Sequence, residues 1–270
     1  METDEELETG YGSGVPPGDN LCNDYVQGLA ASFAALGRAR GDRVEEDEVV
    51  LAADSGTGSL FGNAVVLRQP VAPAAWPALA DRLHAVYAGR PGGSFLLFSA
   101  WPTPDLSGAG FGRVGHPPLM FRPAGPVAHE PVEGLELVEV ADAPTALDWE
   151  RTLVHGYPEP GLQPYVPGCF LPERALAAPG WRHWVAYLDG EPVATSSAYV
   201  APHHGRVDLI STVEAARGRG VGRAVTVAAT LAAPELPAML ISSDLGRNVY
   251  DRLGYLPLCR FSLWEGHRRP

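Results

Sequence analysis

The 270-residue chain contains no lysine: all 20 of its basic residues are arginine. That absence excludes a Walker-type phosphate loop, a pyridoxal Schiff base and any lysine nucleophile, because each needs an ammonium at a fixed place. Cysteine is scarce too. Cys22, Cys169 and Cys259 are odd in number, far apart and free of any CxxC spacing, which speaks against a disulfide framework or a zinc site and predicts idle thiols and no metal. No apolar run reaches the roughly 20 residues of a membrane span, and the N-terminus is acidic where a signal peptide would be basic. The expectation is a cytoplasmic protein with no membrane contact. A net charge of −12 works against nucleic-acid binding, which needs cations to neutralise phosphates.

What is present is a globular composition, 46% hydrophobic and 19% charged, in a chain long enough for two domains at about 150 residues each. Residues 1–20 hold six acids, several Gly and Pro and no basic residue, and read as a disordered acidic tail. Two halves with a shared order of elements follow. The first, 21–130, runs from a helix that Asn23 or Asp24 would cap and Gly37 would end. Two strands, "EVVLAADSG" and "SLFGNAVVLRQ", come next, then a helix with Trp76, Leu79, Leu83 and Val86 on one face, an apolar strand "SFLLFSAW" and a closing strand after "AGF". The second, 134–270, repeats this with a helix that Asp142 could cap, a Pro- and Gly-rich loop over 156–180, and a hairpin turning at Asp189-Gly190. "RVDLISTV", a helix, "AMLISS", a short helix and the closing strand "YLPLCRFSLW" complete it. An internal duplication is the economical reading.

One stretch sets the halves apart. "AARGRGVGRAV", residues 215–225, joins "RVDLISTV" to a helix, whereas the first half has only "RQPVAP" in that place. A disordered arginine-glycine tract would not run straight into an amphipathic helix. A dinucleotide fingerprint needs a third glycine where Arg223 stands, and it would open a βαβ unit. A loop that cradles another phosphate remains: glycines let the backbone approach the ligand, and a helix N-terminus offers unpaired amides and a positive dipole end.

"RGRGVG" resembles the cofactor loop Q/R-x-x-G-x-G/A of the GNAT superfamily of N-acetyltransferases, with Arg217 in first place and Gly220 and Gly222 as the fixed glycines. "NVYDRLGY" resembles the family's late tyrosine followed by Gly-aromatic. The resemblance covers about 134–270 and implies an α/β protein of two GNAT-like lobes, each a mixed sheet flanked by helices. The second lobe would be catalytic and the first a degenerate copy, an arrangement known among tandem members. It also implies that the amides of Arg217, Gly218, Arg219, Gly220, Val221, Gly222 and Arg223 hold the pyrophosphate of acetyl-CoA. Thr212 and Val213 would pair with its pantetheine arm, in a strand that splays from the next beside a β-bulge. Ser243 stands where many members have Asn, and Glu214 or Ala215 where many have Pro.

Transfer of an acetyl or short acyl group to an amine needs an outlet for the amine's proton, an oxyanion donor and an acid for the departing thiolate. Tyr250 is the candidate acid, and an amide near Thr212 or Val213 the candidate oxyanion donor. Asp208, Glu214 or a chain of waters could be the base. His203 and His204 are adjacent, point apart and lack a third ligand at suitable spacing, so no metal is expected. The expected partner is a small-molecule amine, with the chain as monomer or homodimer. The alternative function is a noncatalytic acyl-CoA-binding or scaffold protein.

Overall fold

The computed structural model describes residues 21–89, 94–157 and 159–267; the segment expected to be an acidic tail lies outside them. The first helix, α1 (Leu21–Arg40), buries Tyr25, Val26, Leu29 and Leu36 on one side. It ends at Gly41, whose φ of +79° suits the left-handed stop. Gly37, expected at that stop, is instead inside the helix, where a Cβ would come within 2.9 Å of Val44. The close approach of the next strand, β1 (Arg43–Glu46), is what requires glycine there. The sequence reading missed β1, whose charged side chains carry no apolar signal.

Next come β2 (Val50–Asp54), β3 (Ala64–Leu67), α2 (Trp76–Val86), β4 (Phe95–Ser99), β5 (Phe111–Gly115) and β6 (Pro118–Arg122). The second half begins with β7 (Leu135–Glu139) and α3 (Ala143–Gly156). Asp142 caps α3 by accepting from the Thr145 amide at 2.9 Å. Then follow β8 (Trp181–Leu188), β9 (Glu191–Val200), β10 (Gly205–Thr212), α4 (Val221–Thr230), β11 (Ala238–Ile241), α5 (Arg247–Arg252), β12 (Leu256–Arg260) and β13 (Ser262–Gly266).

Two mixed sheets result, ordered β1-β2-β3-β4-β13-β5 and β12-β6-β11-β10-β9-β8-β7. They exchange strands. β6 lies in the second sheet although its residues fall within 21–130, and β13 lies in the first although its residues fall within 134–270. Each closing segment that reads as one strand is therefore two, broken at His116-Pro117 in one case and at Phe261 in the other. The two crossings run side by side. The Phe261 amide donates to the Pro117 carbonyl at 3.0 Å, and Arg260 donates to the His116 carbonyl at 2.7 Å. Phe261 is fully buried there, with Tyr25 edge-on at 5.7 Å.

α1 sits between the sheets. Tyr25, Leu29 and Ala34 share one core with Leu51 and Val66 of the first sheet, Leu119 and Met239 of the second, and Phe261 from the crossing. Separate cores lie under α2, formed with Trp264 from β13, and under α4 and α5. Among the described residues no helix is long and apolar enough to cross a membrane.

Candidate functional site

The site begins with a defect in a ladder. β10 pairs antiparallel with β9 from Gly205 to Asp208 and again at Ser211 and Thr212, with a register shift between Asp208 and Ser211. Leu209, at φ +52°, forms this bulge. On its other side β10 meets β11 in parallel at only two positions, Gly205↔Ala238 and Arg206↔Met239. Beyond them the strands part, and a cleft of about 580 Å³ opens.

The glycine loop forms one end of this cleft. After the short turn Glu214–Ala216, Gly218 and Gly220 take φ of +75° and +83°, a left-handed backbone that favours glycine. Ala224 is the first amide of α4 to bond back, to the Gly220 carbonyl at 3.1 Å, so the amides just before it are the helix's free N-terminal donors. A Cβ on Gly222 would lie 3.2 Å from Thr212 Oγ1 and narrow the cleft floor. The arrangement is an anion cradle at a positive dipole end.

Eight of the eleven residues singled out from the sequence line the cleft: Thr212 from β10, Arg217, Gly218 and Gly220 from the loop, Gly222 and Arg223 from α4, and Ser243 and Tyr250 opposite them. Arg217 has a different job from the one expected. Its own amide is spent on the Glu214 carbonyl at 3.1 Å, while its guanidinium donates to the Thr212 carbonyl at 3.1 Å and the Gly156 carbonyl at 3.0 Å. It braces the loop against β10 and the end of α3. Arg223, 3.8 Å from an exposed Glu130, keeps its charge at the cleft. Ser243 accepts from the Gly246 amide at 3.2 Å and retains its own O–H to donate.

Val213, Arg219 and Val221 do not line the cleft. The Val213 amide donates to the Val193 carbonyl at 2.9 Å, so it is taken by β9. The alternation of an antiparallel ladder then turns the Thr212 amide the other way, toward the side β11 has left. Of the two amides considered for an oxyanion, Thr212 faces the cleft. Val221 is buried in the core with Val225 and Ala216, and Arg219 points into solvent.

Tyr250 is 8% exposed. Burial, reinforced by Tyr255, Asp208 and Tyr157, holds its phenol well above the ordinary value, so it stays protonated at any working pH. Gly246 makes room for it: a Cβ there would come within 2.7 Å of the ring. Asp208, on β10, is one-third exposed and ion-paired with Arg206, which is buried over the rings of Phe33 and Trp181 at 5.4 and 5.7 Å. Glu214, the other carboxylate considered, is exposed in the turn before the loop.

Sequence reasoning missed three supports. Gly156 ends α3 so close to β10 that a Cβ would sit 2.3 Å from Ser211 Oγ. Glu150, fully buried on α3, organises the long loop after it by accepting from the amides of Gly168 at 2.6 Å, Leu171 at 2.9 Å and Phe170, and from the Tyr165 hydroxyl at 3.1 Å. Phe61, from the β2–β3 loop of the first half, packs on Tyr157 at 5.0 Å. The first half thus reaches the mouth of the second half's cleft. Among the described residues no group of three or more His, Cys, Asp or Glu is placed to hold a metal ion.

The family model "Acetyltransferase (GNAT) family" matches residues 146–255. No curated protein matches the chain. Among solved structures, a GCN5-related N-acetyltransferase from Kribbella flavida is 21% identical, covering 88% of this chain and 95% of its own, with a TM-score of 0.62. One from Sphaerobacter thermophilus is 13% identical, with coverages of 92% and 94% and a TM-score of 0.56. A tandem GNAT protein from the clavulanic acid biosynthesis pathway is 14% identical, with coverages of 93% and 97% and a TM-score of 0.51. All three share the fold across both halves.

Proposed function

We propose, for a chain whose residues 146–255 match the GNAT acetyltransferase family model, that the second half transfers an acetyl or short acyl group from coenzyme A to a primary amine of a small molecule. One observation carries the reading: the cleft between β10 and β11 has free amides of a glycine loop and helix N-terminus at one end and a buried, protonated tyrosine on its wall. Acyl-CoA would supply an activated thioester. The amides of residues 218–223 would bind its phosphates, with Arg223 adding charge. The Thr212 amide would serve as the oxyanion donor. Tyr250 would give its proton to the departing sulfur, and the amine's proton would leave to water or to Asp208. The first half, without a glycine loop, would act as wall and scaffold.

The test is titration with acetyl-CoA beside turnover on a panel of small amines. Binding with turnover on at least one amine is the expected result. Binding without turnover on any of them would favour the noncatalytic acyl-CoA-binding protein, and absence of binding would remove the reading altogether.

A further inference from the structure

Cys22 and Cys259 are 237 positions apart in the chain, yet their sulfurs lie 3.2 Å apart in the fold. All three cysteines are free thiols, as expected, but the fold brings these two together. Cys22 is in the first turn of α1. Cys259 is on β12, the outer strand of the second sheet, where the ladder with β6 slips register between Pro257 and Cys259. Both are half-buried against the core between the sheets. Cys169 packs on a different core and serves as an internal control.

We propose that Cys22 and Cys259 are a modification site: they form a reversible disulfide that ties the helix of the first half to the edge of the second sheet. Both thiols sit where the backbone can yield, one at a helix start and the other beside a bulge, and the sulfurs need to close only to about 2 Å. The oxidant is a low-molecular-weight disulfide. The Cys22 sulfur attacks it, releasing one small thiol and leaving a mixed disulfide. The Cys259 sulfur then attacks the Cys22 sulfur and releases the second small thiol. The two protein thiols lose two protons and two electrons, and the small disulfide gains both.

The order of attack follows from the surroundings of Cys259. Burial, then the hydrogen bond and charge of the Cys22 sulfur, push its thiol up to about 12. Capping Cys22 removes the last two causes and leaves burial, so Cys259 acts second. The bond would close one turn before Tyr25, which packs on Phe261 at the strand crossing. A cross-link there resists separation of the lobes.

The experiment incubates the full-length native chain with oxidised glutathione, blocks remaining thiols by alkylation and maps peptides cut after arginine without reduction. The expected product links residues 1–38 to 253–260, leaves Cys169 alkylated, raises the melting temperature, and reverts with reductant. Cys22→Ser and Cys259→Ser should each abolish the link, while Cys169→Ser should keep it. Three alkylatable thiols after native oxidation, stable glutathione adducts without the link, or a link that appears only in denaturant would each overturn the proposal. The wild-type map decides even if a variant fails to fold, and none of these readouts depends on acyl transfer.

Discussion

The two halves of this chain are built to one plan and differ where it matters. Read from β1, the first sheet runs hairpin, β3, parallel β4, an exchanged strand, then β5; the second, read from β8, runs hairpin, β10, parallel β11, an exchanged strand, then β12. In the first half β3 pairs with β4 along nearly its whole length, Ala64↔Leu96 to Val66↔Phe98, and with β2 without any slip. In the second half β10 carries a bulge and leaves β11 after two pairs. Between strand and helix the first half has a proline-bearing link whose Val71 packs into the core under α2; the second has Gly218 and Gly220, with Gly222 following in the first turn of α4. A binding cleft therefore depends on a bulge and a few residues at a strand-helix junction, while the sheet order survives without it.

Gly220→Val should have the largest effect. A β-branched side chain at φ +83° is strained and would also press on Val132, 3.2 Å from the Cβ position. If only the second half binds, acetyl-CoA binding should vanish entirely by calorimetric titration. Wild type should bind one acetyl-CoA per chain, and two equivalent sites would end the contrast between the halves.

Tyr250→Phe keeps the ring and removes the acid. Single-turnover acyl transfer should fall by roughly 10²- to 10⁴-fold with acetyl-CoA affinity nearly unchanged. An unchanged rate would return Tyr250 to packing alone.

The strand exchange predicts that lesions near one end of the chain destabilise the other end's core. Trp264, on β13, is buried among first-half side chains and donates to Thr103 Oγ1 at 3.0 Å. Trp264→Ala should cost about 3–5 kcal/mol in denaturant unfolding, with the earliest loss of amide-exchange protection in the first sheet. Loss confined to the second sheet would contradict the exchange.

The smallest effect is a pH dependence lodged in the second half. Desolvation holds His183 at about 4, and desolvation with the charges of Arg206 and His203 holds His204 at about 4. In the unfolded chain a histidine titrates near 6.5. The unfolded state thus binds more protons between these values, so stability is fully present above about pH 6.5 and falls as pH drops toward 4. Each buried histidine contributes up to about 3 kcal/mol of that loss. His183→Gln should flatten the slope of melting temperature between pH 7 and pH 5; an unchanged slope would move the effect elsewhere.

Elements set by local chemistry were legible in the sequence. The apolar stripe of α2 buries Trp76, Leu79, Leu83 and Val86 as its spacing predicts, Asp142 caps α3, and Asp189-Gly190 turns the hairpin with φ of +54° and +85°. The loop glycines announced their own left-handed backbone. What stayed hidden depends on partners distant in the chain. A leucine carries no mark of a bulge, so Leu209 was silent. Gly156 is a glycine because of Ser211, which no spacing links to it. Nothing in "LPLCRFSLWEG" says that its second part pairs with residues of another sheet, since the choice is made by which sheet lacks a strand.

That missing strand has a consequence for how the protein comes into being. β4 and β5 leave the ribosome long before β13, the strand that belongs between them. Until it is synthesised, the first half presents a sheet with an open gap and unpaired backbone groups on either side. Domains commonly fold in the order they emerge, but here the half made first cannot finish first. It must wait, partly assembled, for a segment translated after the whole of the second half's cleft, and pairing over so long a separation is slow. The same exchange that welds the finished lobes together makes the nascent chain depend on β13.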